Sequence, residues 1–259
     1  MAERYTLQEH AYSDDQQYLD EEITDDSPYS ESVSAIAFDF DQVTGAPDKS
    51  RADEIRLLSV KNKKQPKNSK EKKPPGRGWP TGGVEGGFYA SGRESFEQAV
   101  RRETLGESGY TVTNVLGELF CEPRHHIRNN VRVFLAEADS TYVVPVRERD
   151  EVDANYDNWV TLREVFKIPY AIAKDGTPRD PNGFYYAHVR RLVKALNILT
   201  FADPEIYPEL REDIEKLPRK IVDWVEDHHD QLTSAFIDLV EDGLVFSNNG
   251  LIELIKRDN

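Results

Sequence analysis

At 259 residues and 38% apolar content, the chain has room for one sizeable domain plus a small appendage, and its 12 Tyr, 11 Phe and three Trp can fill a core. A formal net charge of −15 argues against nucleic acid as a general partner, because neutralising phosphates takes clustered Lys and Arg. The lone cysteine, Cys121, excludes an internal disulfide; with no apolar leader and no run of about 18 apolar residues, the composition points to a cytoplasmic protein without a membrane span.

Residues 1–32 carry ten acidic side chains against one Arg, a composition that cannot bury enough surface to offset ordering entropy, so they read as a disordered tail. Order is expected from Val33. Ser34 to Asp41 and Glu54 to Val60 have the β-branched and aromatic content of strands. Between Lys61 and Arg77 the composition inverts to seven Lys with almost no apolar residue. This is a basic loop, either a solvated connector or an electrostatic lure for a polyphosphate. Trp79 to Glu85 follow as a short strand and turn.

From Gly82 to Tyr110 the chain reads as a glycine-rich loop leading into one amphipathic helix. Ser95 with Gln98 makes a capping box at its start, and Gly109 supplies the left-handed residue that ends it. Phe96, Ala99, Val100 and Leu105 give a face to bury. On the polar side Glu103 and Glu107 stand four apart. Taken alone, such a pair is a solvated acidic face. A hard cation with a preference for oxygen ligands would turn its mutual repulsion into a binding site.

The pair does not stand alone. Glu94, seven residues, Arg102-Glu103, three residues, Glu107, one residue and Gly109 form an ordered set whose chance occurrence is on the order of one in a million per starting position. The pattern resembles the Nudix hydrolase signature. Three positions depart from it. Gly106 replaces the first Glu of the signature's Glu-Glu pair, Thr104 replaces an apolar residue, and about six extra residues separate Gly82 from Glu94.

Strands return at Val112–Phe120 and Val131–Ala138, joined through a connector that holds His125-His126. Cys121 reads as a small buried hydrophobe. Trp159-Val160-Thr161-Leu162-Arg163-Glu164 is similar to a segment common late in Nudix domains. Before it, Glu151, with Glu148 as the second choice, lies where ADP-ribose-type members carry a loop carboxylate that acts as base. Tyr185 to Leu199 form a closing helix with His188, Arg190 and Arg191 on its polar side. Beyond residue 200, a 3-4 apolar pattern from Ile221 to Val240 marks a long amphipathic helix ended by Gly243, followed by a hairpin about Asn249-Gly250. Residues 201–259 read as a mainly helical extension for packing or homodimerisation.

The resemblance implies an α/β fold, an α/β/α sandwich with a mixed sheet, over residues 33–200. It implies cleavage of a pyrophosphate linking a nucleoside to another moiety, of the ADP-ribose or nucleotide-sugar type. Glu103 and Glu107 would hold Mg2+ or Mn2+, Arg102 would brace the carboxylates, and Glu151 would take a proton from water. Backbone groups at Gly82 and Gly83 can approach a phosphate because no side chain intervenes, and Arg77 at the end of the basic loop is expected to contact substrate. Two other readings share these residues. One is a Nudix-fold nucleotide-binding module without turnover, suggested by Gly106. The other is a Nudix-like regulator, suggested by the terminal helix and hairpin but opposed by 15 acidic against six basic residues from Asp203 onward.

Overall fold

The computed structural model describes residues 30–40, 43–44, 49–62, 75–85, 94–124, 128–144, 158–172, 178–200, 208, 210–248 and 251–254. The acidic tail to residue 29, most of the basic loop, His125-His126, the loop carrying Glu148 and Glu151, and the Asn249-Gly250 turn lie outside them.

In chain order the elements are β1 (Ser30–Asp39), α1 (Arg51–Glu54), β2 (Arg56–Leu58), β3 (Val60–Lys61), β4 (Arg77–Gly78), β5 (Thr81–Gly83), α2 (Phe96–Ser108), β6 (Tyr110–Arg124) and β7 (Asn129–Val143). They continue with β8 (Trp159–Thr161), α3 (Leu162–Lys167), α4 (Tyr186–Thr200), α5 (Arg211–Glu215), α6 (Arg219–Glu241), β9 (Val245–Asn248) and β10 (Leu251–Leu254). The main sheet runs β6-β7-β1-β2-β8, with β5 also paired to β1. It is mixed: β1 lies parallel to β7, whereas its pairings with β2 and β5 are antiparallel.

Period-2 alternation along β1 divides the core. Val33, Ala35 and Ala37 face α2, joined by Ala99 and Val100 of that helix and by Phe134, Ala136 and Trp159. Ile36 and Phe38 face the opposite layer, where they share one continuous core with Leu192 and Leu196 of α4 and with Trp224, Phe236 and Leu239 of α6. The result is the expected α/β/α sandwich, but its second helical layer includes the C-terminal extension. Trp224 Nε1 donates to Glu137 of β7 at 2.9 Å, and Asp238 accepts from Ser50 Oγ and Ala52 N at the start of α1. Asn197 of α4 bonds the backbone of Ile252 in both directions. The described part of the extension, residues 210–248 and 251–254, therefore contributes to this core through α6, β9 and β10.

Several local expectations are corrected. β1 starts at Ser30, inside the segment assigned to the tail. Glu54 ends a helical turn and does not begin a strand, its carboxylate accepting from Thr44 N at 3.1 Å. β6 and β7 run on to Arg124 and from Asn129, with bulges, so the hairpin between them is much tighter than the expected connector. Cys121 is half-buried rather than fully buried. β9 and β10 pair antiparallel, with Asn248 opposite Leu251, and Gly243 (φ 65°) closes α6 with Leu244 N–H bonded to Leu239 O at 2.9 Å.

Candidate active site

Helix α2 is delimited as its sequence requires. Ser95 Oγ accepts from Gln98 N at 3.1 Å, Gln98 Oε1 accepts from Ser95 N at 2.8 Å, and Gly109 adopts φ 79° with its N–H on Leu105 O. The buried face differs from the expected one by about one residue. Thr104 and Ser108 are buried whereas Leu105 is 38% exposed, so Thr104 occupies the position for which the signature has an apolar side chain. Glu103 is drawn to the buried side with them and is only 8% exposed.

Arg102 is the hub of the cluster. Its Nε and Nη2 grip both oxygens of Glu94 at 2.8 Å, its Nη2 also reaches Gly83 O at 2.7 Å, and its Nη1 bonds Glu103. Glu94 thus sits in the loop ahead of the helix and is held there by a bidentate, charge-assisted pair. That bonding to Arg102 holds the Glu94 carboxyl below its ordinary range, despite partial burial, and raises the guanidinium in turn. Reciprocal bonds between Glu85 N and Glu94 Oε2 and between Glu94 N and Glu85 O, each 3.1 Å, close the base of the inserted loop. Glu107 is anchored separately: its Oε2 accepts the Thr81 backbone N–H at 2.9 Å.

Gly82 is where the strand and the carboxylates meet. A Cβ at this position would overlap the Glu103 carboxyl group, whereas nothing lies within 4 Å of a Cβ at Gly83. Glycine at 82 is therefore a steric requirement for seating Glu103, and Gly83 leaves open approach to the backbone. Gly82→Ala is expected to push Glu103 aside and lower turnover about a hundredfold if the shift approaches 1 Å. Steady-state kinetics beside a melting curve checks this, with Gly83→Ala costing distinctly less.

Other expected residues fall differently. Arg77 is 8% exposed, with its guanidinium 5.9 Å from the Phe184 ring and its backbone bonded to Gly183 and Tyr185. It packs against the segment that opens α4. On α4, His188 and Arg191, expected on the polar side of the helix, are buried. Burial alone would push Glu122 up, but Arg191 and Arg190, bonded to it at 2.7 and 2.8 Å, outweigh that and hold it below its usual range. Glu151 lies outside the described residues. Sequence reasoning missed Glu85 and the Thr81 N–H; a backbone donor leaves no residue-type signal.

A NUDIX domain family model matches residues 51–180, 130 of the chain's 259. The chain belongs to the Nudix family. No curated protein matches it. Among solved structures it is similar to a NUDIX hydrolase from Nitrosomonas europaea, at 19% identity and a TM-score of 0.34, over 49% of this chain and 57% of that one. It thus spans little more than half that protein's length. It is also similar to the NUDIX domain of Shewanella oneidensis NrtR complexed with ADP ribose, at 14% identity and a TM-score of 0.42, over 67% and 90%. Likeness at this level says nothing of substrate.

In this Nudix site, no group of three or more His, Cys, Asp or Glu residues is arranged to hold a metal ion among the described residues. The Nudix helix offers Glu103 and Glu107, with Gly106 between them. Two carboxylates beside a backbone free of side chains still suit Mg2+, which keeps several waters and takes its remaining ligands from substrate phosphates. No helix among the described residues is long and apolar enough to cross a membrane.

Proposed function

We propose that this Nudix protein is a Mg2+-dependent hydrolase that cleaves the pyrophosphate of a nucleoside diphosphate linked to a second moiety, with ADP-ribose or a nucleotide sugar as the favoured class. One observation carries the reading: Arg102 clamps Glu94 and Glu103 together, with Glu103 seated against side-chain-free Gly82, while Thr81 N–H holds Glu107. Glu103 and Glu107 hold the cation, for which Mn2+ can substitute. Bound there, it supplies charge neutralisation to the diphosphate oxygens. Arg102 keeps the Glu103 carboxylate oriented before substrate arrives, and Gly82 and Gly83 let the diphosphate come close to the strand.

Glu151 is assigned the base, accepting a proton from the attacking water at its carboxylate. The ends of its loop support that assignment. Val144 N–H bonds Gly109 O at 2.8 Å and Asn158 Nδ2 bonds Ser108 O at 3.0 Å. Both ends are thus tied to the C-terminal end of the Nudix helix, next to the turn that carries Glu107. The single cysteine accords with a reducing cytoplasm.

A panel of ADP-ribose, nucleotide sugars, dinucleotides and nucleoside triphosphates, incubated with Mg2+, tests the reading. ADP-ribose is expected to yield two phosphomonoesters, with water added across the phosphoric anhydride. Pyrophosphate release from triphosphates alone, or no turnover of any member, overturns it.

A further inference from the structure

His188 is one of the buried polar residues that the scheme above leaves without a role. It is 8% exposed, and its Nδ1 accepts the backbone N–H of Trp79 at 2.9 Å. The indole of Trp79 returns the contact, its Nε1–H donating to His188 O at 2.7 Å. An accepting Nδ1 assigns the ring proton to Nε2. The fit extends to Gly78, where a Cβ would stand 2.9 Å from the His188 ring, so only glycine admits the imidazole.

From Trp79 the contacts continue toward the active site. The Thr81 hydroxyl donates to Trp79 O at 2.9 Å, and the Thr81 backbone N–H donates to Glu107 Oε2 at 2.9 Å. We infer that His188 is a positioning residue for Glu107, acting from α4 through Trp79 and Thr81. The inference rests on the reading of Glu107 as a cation ligand. Physically, Trp79 is 1% exposed, so its N–H has no access to water if the imidazole acceptor is removed. The strand must then turn to find another acceptor, and the Thr81 N–H that aims Glu107 turns with it. The imidazole thereby supports a ligand as an outer-shell partner does, although it is remote from the carboxylate in sequence and touches neither cation nor substrate.

The test separates the acceptor from the bulk. His188→Phe keeps a ring and removes the acceptor; His188→Asn keeps an oxygen near the place of Nδ1 and loses the ring. Mn2+ affinity is read by electron paramagnetic resonance titration of the full chain without substrate, with Mg2+-dependent ADP-ribose kinetics and melting temperature alongside. His188→Phe is expected to weaken Mn2+ binding about tenfold or more and to lower kcat with little change in KM. His188→Asn should recover most of the affinity, even if it melts lower. Thr81→Val, on a partly exposed strand, breaks the same chain of bonds at its middle and should also weaken Mn2+ binding. Affinities that follow melting temperature instead of the acceptor, or wild-type affinity in both His188→Phe and Thr81→Val, overturn the inference. Glu107→Gln run in parallel keeps the two readings apart. Wild-type Mn2+ affinity in that variant removes the ligand role of Glu107; lost affinity there with wild-type affinity in His188→Phe removes only the role of His188.

Discussion

Glu107→Gln is expected to cut turnover at least a hundredfold while leaving the melting temperature close to wild type. Loss of an outer-shell partner alone typically costs about 10–100-fold in metal affinity or activity, and Glu107 is proposed to touch the cation itself. The fold should tolerate the change, because Glu107 is only half-buried and its contact with the Thr81 N–H needs an acceptor oxygen, which Gln retains. Removing the negative charge even relieves some repulsion with Glu103 one turn away. Steady-state kinetics paired with calorimetry checks both halves. A variant that is inactive because it has unfolded would not support the assignment, and one that keeps wild-type turnover would remove it.

Ending the chain at Thr200 should have the largest effect on stability. Such a protein loses Ile221, Trp224, Leu232, Ala235, Phe236 and Leu239 from the core shared with β1 and α4, and loses the Asp238 contacts at the start of α1. Truncating one buried Trp or Phe to Ala costs about 3–5 kcal/mol, against about 5–15 kcal/mol for a whole domain. Deleting all six side chains together therefore exceeds that margin, and the product should be insoluble or lack a cooperative transition. Trp224→Ala offers a graded version. It should still fold but melt roughly 10 °C lower, and it should retain turnover, since Trp224 packs on the sheet face opposite α2. A soluble, cooperatively melting chain of residues 1–200 would show that the extension is dispensable.

These two predictions mark what was legible in the sequence. The Nudix helix could be read because its determinants are local: the Ser95–Gln98 box, the Gly109 cap and the i, i+4 carboxylates all lie within sixteen residues. Glu94 could be placed in the loop for the same reason. The 3-4 pattern from Ile221 showed that a face must be buried but not which surface would cover it, so the extension read as an appendage. His188 and Arg191 read as the polar side of α4 by residue type. Their partners, Trp79 and Glu122, stand 109 and 69 positions away, and only the folded sheet brings them together. The packing of Arg77 was hidden for a related reason. Its neighbours in sequence are basic and polar, yet its backbone is bonded to Gly183 and Tyr185 at the start of α4. The register of α2 was missed by about one residue, because Leu105 counts as buried by residue type, whereas the fold exposes it and buries Thr104 beside it.

The most direct test of the central claim is one time course of ADP-ribose hydrolysis in which Mg2+ is removed by chelator and then restored in excess. Both phosphomonoesters are expected to accumulate together, stop on chelation and resume at the original rate on restoration. Turnover that continues through the chelated interval, or its absence throughout with folded protein, would contradict the assignment of Glu103 and Glu107 as the cation ligands of a pyrophosphate hydrolase.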